Sequence, residues 1–344
     1  MIRVPHNRLT HGAAERDAVA AVVASGRWSS GPAVERLERD LAARLGRRHA
    51  VAVGSGVGAL RLALLSLGVG PGDEVIVPAY SCVALANAAL ACGARPVPAD
   101  VVPGDWTIDP QAVTATPRTK ALIAVHTFGA AADIKTLGGL GVPVIEDCAH
   151  GIAAGAMGSL APIAITSFYA TKLIGAGEGG AVMTGDDAVA AFVRRWRDYA
   201  DQGADGTRLN DKLTEFAAAL AGCQLGRLGE FLEARRACAE RYGAALADIA
   251  RAGAVALPPA GERAWYRYAV EFARLDAAEA IARLAARGID AAEPVADWAK
   301  AGEACPVSAR AFRRLVSLPL YPTLGLEEQA AVIAAVRAVA EEAR

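Results

Sequence analysis

The chain has 344 residues, enough for roughly two domains of about 150 residues and for a large core. Thirty-six basic against thirty-seven acidic side chains leave a net charge of −1, so no positive surplus exists to neutralise a nucleic-acid backbone or an anionic bilayer. A hydrophobic fraction of 53% against 21% charged is the reverse of a disordered composition.

Two uncharged stretches reach membrane-spanning length, Val75 to Ala94 and Cys148 to Thr171. The first is broken by Pro78, Asn87 and Gly93, the second by His150, Gly151, Gly155, Gly158 and Pro162, so both read as buried strand, loop and helix and no transmembrane helix is expected. The opening Met1-Ile-Arg-Val-Pro-His lacks the apolar run of a secretory signal, which makes the cytoplasm the expected location. The six cysteines form no CxxC pair and have no histidine at ligand spacing; free buried thiols are expected, and no metal.

Apolar β-type runs recur at Ala50 to Val53, Val75 to Val77, Pro96 to Ala99, Ala121 to Val125, Val144 to Asp147, Ile163 to Phe168 and Ala181 to Thr184. Helical patterns such as Ala59 to Leu65 lie between most of them, and the strands are apolar throughout rather than alternating, as in a sheet covered on both faces. That predicts an α/β sandwich. Ala-rich and Arg-rich helices follow, from about Asp187 to Ala200 and from about Leu213 to Ile249. A smaller unit then shows a strand at Trp265 to Phe272, a helix at Ala277 to Ala286 closed by Arg287-Gly288, and a terminal helix at Leu326 to Glu342. The boundary near Gly243 falls inside an expected connecting helix.

Gly54-Ser55-Gly56-Val57-Gly58-Ala59, between a strand and a helix, can present amides to a phosphate or serve close packing. It also fits a dinucleotide fingerprint, but the next strand ends in Pro78-Ala79-Tyr80 rather than an acid, which weakens a nicotinamide reading. A second glycine run, Gly175 to Gly180, precedes a strand and lets the backbone bend beside Lys172, the only lysine between Lys135 and Lys212. An ammonium in so uncharged a stretch reaches solvent or is kept for chemistry. Asp147 ends an apolar strand, where it can cap a helix or pair with a protonated cofactor nitrogen. His150 can be a satisfied polar residue, a base or a neighbour of that ring.

A phosphate turn, a strand-end aspartate and a sequestered lysine together are what pyridoxal phosphate requires. The chain resembles the DegT/StrS-type sugar aminotransferases over nearly its whole length, through Ser25-Gly26, Ser30-Gly31-Pro32, Ser55-Gly56, Ala59-Leu60, Gly70 to Pro78, Ile108-Asp109-Pro110 and Thr119-Lys120-Ala121. The matches continue in Val125-His126, Glu146-Asp147, Ser167-Phe168-Tyr169, Thr171-Lys172, Gly175 to Gly180 and Leu318 to Pro322. The resemblance implies a fold-type-I pyridoxal-phosphate transferase: a seven-stranded, mostly parallel sheet in a large domain (residues 1–242, with an N-terminal arm) and a small C-terminal α+β domain (243–344).

It also implies the roles of single residues. Lys172 carries pyridoxal 5'-phosphate and then moves the proton, and Asp147 keeps the pyridine nitrogen protonated. Gly56, Val57, Gly58 and Ser167 form the phosphate cup, His150 lies near the ring oxygen, and Asn210 reaches across from a partner subunit in a homodimer with shared sites. The implied reaction moves an amino group, with glutamate as the expected donor, onto a keto-sugar, a nucleotide-linked one by expectation; a keto-cyclitol or other small ketone, and a non-catalytic regulatory role, are the alternatives. Lys172 argues against the deoxygenating branch, which has histidine there. Three positions depart from the family pattern: Val57 and Gly58 remove a phosphate hydroxyl, Cys82 replaces a ring-stacking aromatic that Tyr80 or smaller groups would have to substitute, and Ala161-Pro162 replaces Gly-Asp.

Overall fold

A computed structural model describes residues 3–200 and 208–343. Helices α1 (Ala13–Ser25) and α2 (Pro32–Arg44) lead into strand β1 (His49–Val53) and helix α3 (Gly56–Ser66). Next come β2 (Glu74–Pro78), α4 (Ala84–Ala91), β3 (Arg95–Ala99), β4 (Thr119–Val125), α5 (Ile134–Gly138), β5 (Val144–Asp147), β6 (Ile163–Ser167) and β7 (Gly180–Thr184). These strands form one sheet in the order β1-β7-β6-β5-β4-β2-β3, in which β7 alone runs against the rest. All seven expected strands are present, and β2, β5 and β7 are buried at every residue, as the unbroken apolar runs require. Along β1 the side chains alternate between two cores: Ala50 and Ala52 pack with α2, while Val51 and Val53 pack with α3.

After β7 follow α6 (Asp187–Trp196), α7 (Glu215–Gly226) and α8 (Leu228–Arg251). The helix expected over Leu213 to Ile249 is thus two helices: at Arg227 the backbone leaves helical geometry, with φ −96° and ψ 0°, and the side chain is drawn to Glu15 and Glu230. The helix expected to Ala200 ends at Trp196.

The smaller unit has a three-stranded sheet, β10-β9-β8, from β8 (Val255–Ala256), β9 (Tyr268–Phe272) and β10 (Leu315–Leu318), covered by α9 (Ala277–Ala285), α10 (Pro306–Arg314) and α11 (Leu326–Glu342). Its strand starts at Tyr268 rather than Trp265, because Trp265 takes a positive φ of 47° and residues 264–266 dock elsewhere. Gly243 lies within α8, whose Cys238, Ala239 and Tyr242 already pack in the smaller unit's core together with Val4 of the N-terminal arm. Among the described residues, no helix is long and apolar enough to cross a membrane.

Candidate active site

The carboxyl ends of β4, β5 and β6 share one edge of the sheet, the edge at which open α/β sheets bind ligands. Asp147, the last residue of β5, is 3% exposed and accepts a hydrogen bond from the Ala149 amide at 2.9 Å. Burial pushes its carboxyl above the ordinary range, against the Ala149 amide and the charges of Lys172 and His126.

Ser167 ends β6, and the chain then makes the loop that carries Lys172 before returning as β7. That loop closes on itself: the Ala170 amide donates to Gly177 O at 2.9 Å, Ala176 to Phe168 O at 2.8 Å and Lys172 to Tyr169 O at 2.8 Å. The glycines are needed there, because a Cβ on Gly175 would stand 2.3 Å from Ala170 O and Gly179 takes φ +137°. The second glycine run therefore shapes the lysine loop.

His150 stacks on Tyr266, with ring centres 4.2 Å apart and planes 13° from parallel, and Lys172 Nζ sits 4.9 Å from the same Tyr266 ring centre. Burial, with Lys172, Arg267 and His126 nearby, drives the His150 imidazole well below its usual pKa, so it is neutral at neutral pH. Burial raises the Tyr266 phenol, but Lys172, Arg267, a hydrogen bond to Thr171 and Arg235 outweigh it and leave the group below its ordinary value.

The first glycine turn lies against the end of β6. Ser55 caps α3 by accepting from the Gly58 amide at 2.9 Å, while among the described residues the amides of Gly56 and Val57 have no acceptor. A Cβ on Gly56 would come within 2.9 Å of Ser167 Cβ, and one on Gly58 within 2.9 Å of Asp211 Oδ1, so both glycines are forced by close approach. Asp211 also forms an ion pair with Arg61, and its carbonyl accepts from Gly54 N at 2.7 Å; this brace behind the turn was not apparent in the sequence.

The structure thus brings together Lys172, Asp147 and His150, and separately Gly56, Val57, Gly58 and Ser167. Asn210 is exposed and, among the described residues, has no hydrogen bond to Lys172, Asp147 or His150. Tyr80 does not stand in for the aromatic absent at Cys82: it is fully buried, enclosed by Trp106, Phe128 and Phe312 at ring distances of 4.8–6.1 Å. Tyr266 was missed, because Trp265 to Phe272 read as one apolar strand. What places it is docking: Ala264 N donates to Gly129 O at 3.0 Å and Tyr266 N to Phe128 O at 3.1 Å.

Behind the site, His126 Nε2 donates to Glu146 at 2.8 Å while its Nδ1 accepts from the Ala132 amide at 3.0 Å. Glu146 also receives the amides of Gly158, Leu160 and Ala161 at 2.7–3.0 Å. His126, Glu146 and Cys148 lie close enough together to hold a metal, but both ring nitrogens and the carboxylate are already committed to protein partners.

These residues fit pyridoxal phosphate. Free first-turn amides and a hydroxyl face one another where a phosphate needs donors, a buried carboxylate ends the central strand, and an amine lies near it.

Residues 10–337 match the DegT/DnrJ/EryC1/StrS aminotransferase family. The chain is 39% identical over 355 aligned positions to the dTDP-3-amino-3,4,6-trideoxy-alpha-D-glucose transaminase of Streptomyces venezuelae, covering 95% of this chain and 93% of that protein. It is 32% identical to the UDP-2-acetamido-2-deoxy-3-oxo-D-glucuronate aminotransferase of Pseudomonas aeruginosa, covering 89% and 90%. The crystal structure of S. venezuelae DesV with a ketimine intermediate superposes with a TM-score of 0.91 at 34% identity over 99% of both chains. A lysine loop, a strand-end carboxylate and a glycine turn on this fold, with sequence similarity running through all three, place the chain in the DegT/DnrJ/EryC1/StrS aminotransferase family.

Proposed function

We propose that this protein is a pyridoxal-phosphate-dependent aminotransferase that moves an amino group from an amino acid, glutamate by expectation, onto a nucleotide-linked keto-sugar. The observation that carries the reading is the placement of Lys172 and His150 against the Tyr266 ring, with the strand-end Asp147 within electrostatic reach of Lys172. The curated relatives, named as acting on dTDP- and UDP-linked sugars, support the acceptor class.

Pyridoxal phosphate, when bound, supplies the electron sink that lets the C–H bond beside the transferred nitrogen break. Lys172 would hold it through Nζ, and the same amine, when free, would carry the proton between the reacting carbons. Asp147 holds the pyridine N–H, and a cation there offsets the burial that raises the free carboxyl. The neutral His150, stacked on Tyr266, holds the ring's surroundings in place without adding charge. The amides of Gly56 and Val57 and the Ser167 hydroxyl bind the phosphate, the backbone compensating for the hydroxyl that Val57 and Gly58 lack.

The proposal includes a homodimer in which Asn210 reaches the partner's site. Asn210 is exposed here beside Leu209, which is 50% exposed, and Trp28 remains 56% exposed although it packs on Phe216; apolar surface of this kind suits burial by a second copy. Borohydride reduction of the cofactor-loaded protein, followed by peptide mapping, is expected to place the adduct on Lys172, and Lys172→Ala to abolish multi-turnover transamination. Full turnover by that variant overturns the reading.

A further inference from the structure

The proposed phosphate cup offers amides and a hydroxyl, and none of Gly56, Val57, Gly58 and Ser167 is a cation. An acid nonetheless stands against the turn. Asp211 Oδ1 lies 2.9 Å from where a Cβ on Gly58 would be, and Ser55 Oγ, which caps α3, lies 3.1 Å from the same point. The backbone fixes the acid there. The Asp211 carbonyl accepts from Gly54 N at 2.7 Å, its amide donates to Arg197 O at 3.0 Å, and Lys212 after it bridges Val53 at the end of β1.

A carboxylate at a helix N-terminus is favoured by the helix dipole while it is alone, but it repels a second anion brought to the same end. The Asp211 side chain is 14% exposed, so solvent screens that repulsion weakly. Arg61 supplies the answering cation. Gly58 and Arg61 are three residues apart and share one face of α3, and a long helical side chain leans back towards the N-terminus. Arg61 Nη2 accordingly donates to Asp211 Oδ2, from a side chain only 8% exposed. Lys212, the basic neighbour in sequence, is paired instead with Asp198 at 2.9 Å.

We propose that Arg61 is a positioning residue for the cofactor phosphate, acting through Asp211: it holds the carboxylate on the Gly58 face and cancels a charge that would otherwise repel the phosphate from the Gly56 and Val57 amides. Asp211 ties the segment 208–214 to the turn, and Arg61 makes that tie compatible with an anion. The proposal rests on the reading of the glycine turn as the phosphate cup and of Lys172 as the anchor. Its consequence is asymmetric. Losing the arginine alone harms phosphate binding more than losing both charges, because a buried carboxylate is then left unpaired beside the anion.

The test is an absorbance titration of the full chain, freed of cofactor, with pyridoxal phosphate and with pyridoxal, which lacks the phosphate. Arg61→Met is expected to weaken pyridoxal phosphate about 30-fold and to change pyridoxal by less than about threefold. Adding Asp211→Asn is expected to return pyridoxal phosphate to within about threefold of the parent. A pyridoxal adduct retained on Lys172 after borohydride reduction establishes that each variant folds. If Arg61→Met does not fold, Arg61→Gln, which keeps a hydrogen bond to the carboxylate without the charge, takes its place with the same expectations. Parent-like binding of pyridoxal phosphate by the single variant overturns the proposal. Equal losses for both ligands also overturn it, since they give the pair a structural role alone, and so does a double variant no better than the single one. A parent adduct on another lysine removes the functional reading instead; calorimetry with inorganic phosphate on the parent and the two variants still tests the charge balance at the turn, with loss in the single variant and recovery in the double one expected.

Discussion

At the scale of single residues, chemistry was legible wherever composition made a side chain conspicuous. Lys172 stood alone in an uncharged stretch and Asp147 ended an apolar run, and the structure sets Lys172 within electrostatic reach of Asp147. Tyr266 was not conspicuous, since an aromatic in an apolar run has the same appearance whether it fills a core or stacks on a buried imidazole. The roles make Asp147→Asn informative. An amide cannot balance a pyridinium charge, so kcat is expected to fall about 10²- to 10³-fold in stopped-flow assays with cofactor still attached to Lys172. A loss of less than threefold counts against the pairing.

Elements were legible where their cores are continuous and obscure where a polar contact interrupts them. The central strands announced themselves through unbroken apolar runs, whereas the break at Arg227 depends on Glu15, more than two hundred residues away, and no local pattern encodes it. The loop from Gly158 to Ala161 is likewise tied down by Glu146 rather than by its own sequence. Burial opposes the Glu146 charge, but His126 and the amides of Gly158 and Ala161 hold its carboxyl below the ordinary 4.5. Its stabilisation is therefore fully present above the unfolded carboxyl value and is lost as pH falls through the lower folded one. Glu146→Gln is expected to cost about 2–3 kcal/mol at pH 7 in urea titrations, with the gap to the parent narrowing below about pH 4. A gap that does not change with pH contradicts this account.

At the scale of the whole molecule, two copies are proposed to share each site, and the sharing can be tested by complementation. Lys172→Ala and Asn210→Ala proteins are each expected to be impaired; mixed, dissociated and reassembled, they form some dimers with one intact site. A statistical mixture restores about a quarter of the parent sites, and no recovery despite subunit exchange rejects the crossover of Asn210.

Strand order also fixes when the site can come into being. β1 emerges first, yet its only partner in the sheet is β7, through pairs such as His49 with Thr184 and Val53 with Gly180. The glycine turn that follows β1 meets Ser167 only once that pairing has formed, so the proposed phosphate cup depends on contacts of very high sequence separation. During synthesis the N-terminal helices and β1 wait, with an unpaired strand edge exposed, for more than a hundred further residues. In refolding experiments, cofactor capture is therefore expected to trail the return of helical circular dichroism; simultaneous recovery would mean that this edge closes early. The cofactor thus registers a long-range closure within the seven-stranded sheet, and by binding only the closed form it holds that sheet's first strand and its last together.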